Sequence, residues 1–261
     1  MGWIISANRD HGGRRIMAGH TSSTNENQIL STDGLKKSFG GVMAVDGLDI
    51  SIEPGELVGL IGPNGSGKTT TLNLITGFLS PSDGEISLDG KDITNKKPYE
   101  VSTLGVGRTF QISKPFGRLT VVENMMVPNV SVGPEERDER IWELLEELHL
   151  DHVAENRADE LSGGQKKLLE LARVLMLEPE LILLDEPAAG VNPALMDEII
   201  DDIKRINNRG TAILVIEHDM SVISALCERV IVMNAGRQVM SGTFEEVQAD
   251  DQVREAYLGG T

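Results

Sequence analysis

From Gln28 onward the chain is a succession of short apolar runs cut by glycine, proline and Asp-Gly steps. Residues 30–39 and 43–52 read as short strands, with Glu53-Pro54-Gly55-Glu56 as the turn that follows. Leu57–Ile61 carries no polar side chain and is too short for a helix. It reads as a buried strand broken by the glycine-rich stretch that opens at Gly62. A helix is expected from Lys68 to about Leu79, stopped by residues 81–84, and residues 85–88 form a strand ended by the Asp89-Gly90 turn. The middle of the chain is mostly helical. Ile141, Leu144, Leu145 and Leu148 recur at i, i+3, i+4 and i+7, an apolar stripe on an acidic helix. Another helix begins at Ser162 and runs to about Leu177, before a strand at 180–184. Asn192 and Pro193 suit the N-cap and first position of a helix that closes near Gly210. Residues 211–216 form a strand and 220–228 a helix, and 229–233 pairs with 238–240 as a hairpin around Asn234-Ala235-Gly236.

Strand and helix alternate at both ends of this pattern, with a helical insertion between. That order predicts an α/β protein: a mainly parallel core sheet, an antiparallel N-terminal sheet and a helical lobe. At 261 residues, without an internal repeat or a separating linker, the chain suits one large domain or a core with a subsidiary lobe. Residues 1–28 mix Gly, Ser, Asn, Arg and His without periodicity and are expected to be a disordered extension. They lack the apolar segment of a secretory signal, and Met17 offers an alternative start.

Composition narrows the possibilities. Aromatic residues are 3% of the chain, so the core must rest on Val, Ile, Leu and Met. No apolar run approaches the roughly 18–20 residues that cross a bilayer; any service to a membrane is expected to be from its surface. The single cysteine, Cys227, rules out an internal disulfide and a cysteine metal cage, and reads as apolar filler suited to a reducing cytoplasm. A net charge of −17 opposes a nucleic-acid partner, which needs a basic footprint. The same charge fits either a well-solvated surface or a salt-rich cytosol, where screening relieves self-repulsion.

Gly62-Pro63-Asn64-Gly65-Ser66-Gly67-Lys68-Thr69 matches G-x-x-x-x-G-K-[ST] at every fixed position, and Thr70 continues into the helix. Glycines let backbone N–H groups curl around phosphate oxygens, and the following helix points its positive end at the anion. Lys68 supplies a cation for the β- and γ-phosphates, and Thr69 a hydroxyl for Mg²⁺. These residues predict ATP binding with Mg²⁺. Further on, Leu181-Ile182-Leu183-Leu184 delivers Asp185 and Glu186 to a strand end, where open α/β sheets bind ligands. Asp185 is the candidate metal holder and Glu186 the candidate general base or polariser of water. Leu161-Ser162-Gly163-Gly164-Gln165 then opens a helix, a second N-terminus suited to an anion.

In combination these motifs resemble the ATP-binding cassette (ABC) ATPases, over about residues 30–258. The resemblance implies a P-loop NTPase core within an ATPase domain at 29–258, with a helical subdomain inserted at about 112–178. It makes Gly62 to Thr69 the Walker A loop, Leu181 to Glu186 the Walker B strand with its catalytic glutamate, and Ser162, Gly163, Gly164 and Gln165 part of the signature motif. It also makes Gln111 the Q-loop glutamine that senses Mg²⁺, His218 the switch histidine at the γ-phosphate, and Phe39 an aromatic that stacks on adenine. It implies a head-to-tail dimer, with itself or a paralogous ATPase, in which Ser162–Gly164 meets the partner's ATP, and transmembrane permease subunits reached through the groove near Gln111. The place implied is the cytoplasmic face of the membrane. Thr109-Phe110-Gln111, Thr120-Val121-Val122-Glu123-Asn124, the QKKLLELAR stretch at 165–173, the DEPAAGVNP stretch at 185–193 and Ala256-Tyr257-Leu258-Gly259 are similar to branched-chain amino acid importer ATPases. Asn192 stands where most cassettes have Asp, as in that subgroup. Urea or amide uptake, lipid export, a soluble assembly ATPase and a nucleotide-binding regulator remain as alternatives. On the salt-adapted reading, ATP turnover holds or rises as KCl approaches molar; full turnover in dilute buffer, falling steadily with KCl, would leave only the solvated surface.

Overall fold

The computed structural model describes residues 27–254, apart from 112, 113, 129, 131 and 252. Two sheets form in succession. Leu30–Phe39 (β1) pairs antiparallel with Val42–Leu48 (β2) and Ser51–Ile52 (β3). Leu57–Ile61 (β4) then enters a second sheet and leads into helix Lys68–Ile75 (α1). Asp83–Leu88 (β5) and Lys91–Asp92 (β6) return to the first sheet, ordered β2-β1-β5-β6. After helix Pro98–Thr103 (α2), strand Val106–Arg108 (β7) lies at one edge of the second sheet. A helical lobe follows: Val121–Met125 (α3), Pro134–Glu147 (α4) and Gly163–Leu175 (α5). The chain then adds Leu181–Asp185 (β8), Pro193–Asn207 (α6), Ala212–Ile216 (β9), Met220–Leu226 (α7), Arg229–Asn234 (β10), Arg237–Gly242 (β11) and Phe244–Ala249 (α8).

The second sheet runs β11-β10-β4-β9-β8-β7 and is parallel except for β11. Because side chains alternate across a strand, its apolar strands feed two cores. Val58, Leu60, Leu181, Leu183, Leu214 and Ile231 face a core shared with the first sheet and α1. Leu57, Ile61, Ile182, Leu184, Val215 and Val232 face a core shared with the helical lobe, α6 and α7. Cys227 is buried in the second of these, its thiol pushed up to about 12 by burial, as its role of filler requires.

Two expected elements end elsewhere, each for a local reason. The run at 43–52 is split, because the buried Thr32 hydroxyl donates to Leu48 O (2.8 Å) and accepts from Ile50 N (2.8 Å), replacing a rung of the ladder. The helix from Lys68 stops at Ile75 rather than near Leu79. Thr76 Oγ1 donates back to Leu72 O (2.6 Å), and Gly77 takes φ 72, where a Cβ would meet Lys96 O at 2.4 Å. The stretch 120–124 is the N-cap and first turn of α3. Thr120 and Glu123 cap each other, and buried Asn124 accepts from Phe116 N (2.8 Å) while donating to Phe116 O and Thr120 O. Most of the expected extension at 1–28, and the closing 256–259 stretch, lie outside the described residues.

Candidate active site

The loop between β4 and α1 is pressed from two sides by backbone. A Cβ on Gly62 would meet Met233 O at 2.2 Å, and one on Gly67 would meet Ala44 O at 2.4 Å. Gly67, the N-cap of α1, has φ 107, a conformation that side chains resist. The loop is closed by Ser66 N donating to Pro63 O (3.1 Å) and by Gly236 N donating to Ser66 O (2.9 Å). Lys68 is buried and donates from Nζ to Gly62 O (2.7 Å) and Pro63 O (3.1 Å). Burial lowers its pKa, against the pull of Glu186 and Asp185. No side chain caps α1, and no acidic residue lies in its first turn, so its N-terminus is open to an anion. The buried Ser66 hydroxyl has no partner among the described residues. A phosphate chain fits this cradle. Asn64, Gly65 and Thr69 are exposed, while Pro63 and Thr70 are half-buried.

At the tip of β8 the buried carboxylate of Asp185 is pushed toward protonation by burial, opposed by Arg108. Glu186 follows in left-handed backbone, φ 53. Its amide donates to Ile216 O (2.9 Å), and its carbonyl accepts from the Lys167 ammonium. Its carboxylate accepts from Gln111 Nε2 (2.7 Å) on one oxygen, and His218 Nε2 lies 2.8 Å from the other. Two residues far apart in sequence, Gln111 and His218, thus converge on one carboxylate. A carboxylate so oriented, beside the cation of a phosphate loop, can polarise a water for attack on phosphorus. Thr69, Gln111 and Asp185 line one groove of about 840 Å³. Hydroxyl, amide and carboxylate oxygens are the hard donors that Mg²⁺ takes together with phosphate. Among the described residues no cluster of three or more His, Cys, Asp or Glu side chains forms a metal cage, so a cation here would draw on nucleotide oxygens as well.

Ser162 caps α5 by accepting from Gln165 N (3.2 Å), while Gln165 Oε1 accepts from Ser162 N (3.0 Å). Ser162 and Gly163 are exposed, and Gly164 lies so close to α6 that a Cβ would meet Leu195 Cδ2 at 2.0 Å. The side-chain oxygens of Ser162 and Gln165 are therefore each taken up by the other residue's backbone N–H and not by the loop at 62–69. Phe39, 48% exposed at the end of β1, stands under the Lys37 ammonium (5.3 Å), a surface aromatic rather than core. Asn192 N-caps α6 through Leu195 N (3.0 Å), a duty for which its amide oxygen serves as well as a carboxylate.

The motifs did not single out Glu217 or Lys167. Buried Glu217 accepts from Ala188 N (2.7 Å) and His218 N (3.1 Å), fastening the segments after β8 and β9 to each other. Burial raises its pKa, while those two amides and Lys167 lower it. Burial lowers the pKa of Lys167, against the pull of Glu217, Glu186, Glu170 and Asp185. Glu170, one turn on, accepts from Phe110 N (2.9 Å) and ties α5 to the segment that carries Gln111. The spacing of Lys167, Glu170 and Arg173 along an otherwise apolar helix face was the available signal.

A P-loop facing a strand-end carboxylate pair defines a nucleoside triphosphatase. Comparison with known proteins takes this further. The family model described as ABC transporter matches residues 45–189, and one described as branched-chain amino acid ATP-binding cassette transporter matches 237–261. A probable branched-chain amino acid transport ATP-binding protein of Archaeoglobus fulgidus is 38% identical over 246 residues, covering 89% of this chain and 96% of that one. The lipopolysaccharide export system ATP-binding protein of Haemophilus influenzae is 37% identical over 234 residues, covering 88% and 97%. A crystal structure of a nucleotide-free ATP-binding cassette from an ABC transporter superposes with a TM-score of 0.81 at 36% identity, covering 88% and 98%. The chain belongs to the ABC transporter family of ATP-binding cassettes, and its activity is ATP hydrolysis. Among the described residues no helix is long and apolar enough to cross a membrane.

Glu217→Gln replaces one of two accepting oxygens by a donor facing a backbone N–H. We expect it to cost about 1–3 kcal/mol in urea unfolding and to reduce ATP turnover, since His218 loses its anchor; unchanged turnover would remove Glu217 from the site's support.

Proposed function

We propose that this chain is the ATP-hydrolysing subunit of an importer for branched-chain amino acids, working as a peripheral protein at the cytoplasmic face of the membrane. The convergence of Gln111 and His218 on Glu186 beside Lys68 carries the hydrolytic part of this reading. Glu186 orients and deprotonates the attacking water, His218 meets the γ-phosphate, and the loop at 62–70 holds the phosphates through Lys68 and its backbone N–H groups, Pro63 shaping the loop without one. Phe39 supplies a face for the adenine. Thr69, Asp185 and Gln111 would hold Mg²⁺, which supplies charge neutralisation on the phosphates when bound. The signature segment at Ser162, Gly163, Gly164 and Gln165 serves a second site, across a head-to-tail dimer with itself or a paralogous cassette. Its exposure, and its capping bonds closed on themselves, support a role in trans. A dimeric bacterial ABC transporter cassette, 28% identical with a TM-score of 0.75, supports the pairing. The groove lined by Phe78, Phe110, Lys114, Val127 and Arg173 offers a permease element an apolar floor with a basic margin.

The cargo rests on the match at 237–261 and on relatives named for branched-chain amino acid transport. The relative named for lipopolysaccharide export, at similar identity, favours lipid export as the second reading. Reconstituting the chain with the permease subunits it co-purifies with and measuring leucine uptake into proteoliposomes separates the two; ATP turnover without leucine uptake would overturn the first. In the same system Glu186→Gln is expected to keep ATP binding while turnover and uptake fall by about 10²–10⁴, the usual worth of a general base.

A further inference from the structure

Arg108, at the end of β7, is the one guanidinium among the described residues that pairs with the strand-end carboxylate Asp185. Nη2 lies 3.3 Å from Asp185 Oδ2, and each side chain is only 6% exposed. Nη1 donates to Asn73 Oδ1 (2.7 Å) and Thr76 Oγ1 (3.1 Å), both at the end of the helix that the phosphate loop opens. Two rings pack beside it as well: the group lies 4.8 Å from the Phe110 ring centroid and 5.8 Å from that of Phe78, and the two rings pack edge-on at 5.7 Å. A guanidinium fixed by two neutral acceptors and two rings does not swing away freely, so the carboxylate it faces is held by a positive charge built into the fold. A divalent cation recruited to the same carboxylate must share it with that charge.

We propose that Arg108 is a positioning residue that holds Asp185 and, by competing for its negative charge, raises the Mg²⁺ concentration the nucleotide site requires. This rests on the reading of Asp185 as the metal-facing carboxylate. Arg108 itself touches neither phosphate loop nor Glu186 in the hydrogen bonds and ion pair described. Its action is through Asp185 alone, and the free nucleotide should not feel its loss.

The test is equilibrium binding of a fluorescent ATP analogue to the purified full-length chain, in EDTA and across a Mg²⁺ titration, with no turnover needed. In Arg108→Met the half-saturating Mg²⁺ is expected to fall roughly tenfold, the scale of losing one neighbouring charge in a half-screened site, while binding in EDTA stays within about twofold. Arg108→Gln can keep the hydrogen bonds to Asn73 and Thr76 and should shift in the same direction, which keeps the test available if the Met variant does not fold. Arg108→Lys, which retains the charge, should stay within about threefold of the natural chain. Asp185→Asn should raise the half-saturating Mg²⁺, and adding Arg108→Gln to it should produce no further shift. An unchanged Mg²⁺ requirement in Arg108→Gln, with a shift in Asp185→Asn, overturns the role of Arg108 and leaves the reading of Asp185 standing. No shift in Asp185→Asn itself overturns both.

Discussion

Glu186 occupies left-handed backbone, which costs a residue with a Cβ about 1–2 kcal/mol and persists only where surroundings insist on it. Here the insistence comes from four parts of the chain. β9 accepts the Glu186 amide, α5 sends Lys167 to its carbonyl, and the segments carrying Gln111 and His218 close on its carboxylate. Glu217 then fastens the strand end following β9 to Ala188, so the loop that holds His218 is indexed to the loop that holds Glu186. Remove any of these and the backbone has a reason to relax. The position of one carboxylate therefore depends on the seating of the helical lobe as well as on the sheet.

The phosphate loop was legible because its chemistry is local. Eight consecutive residues carry the glycines, the cation and the hydroxyl, and the strand before and helix after them are short-range consequences. The apolar runs at Leu57–Ile61 and Leu181–Asp185, the N-cap at Asn192 and the hairpin turn at Ala235-Gly236 were legible for the same reason. The site's support was less so. Arg108 meets Asp185 and Lys167 meets Glu186 across intervals that no periodicity reports, and β7 is too short to leave a pattern. Even the end of α1 turned on Gly77 fitting against Lys96 O, a neighbour nineteen residues away, rather than on Pro81 beyond it.

Family resemblance filled part of this gap by naming Gln111 and His218, residues whose isolated sequence signal is weak. The structure gives each a physical reason for its identity: an amide can donate to a carboxylate without adding charge, and an imidazole can do so while remaining able to take a proton. Asn192 is instructive in the other direction. Its departure from the commoner acid leaves the helix start intact, because capping α6 requires an oxygen and not a charge.

The central sheet sends neighbouring side chains of a single strand into separate apolar bodies, Leu183 to one and Leu184 to the other. Drift in the packing on the lobe side is thereby insulated from the side that carries α1 and the first sheet. Glu186 stands outside that insulation, because Lys167 ties its carbonyl to α5 and any repacking of the lobe is passed on to it.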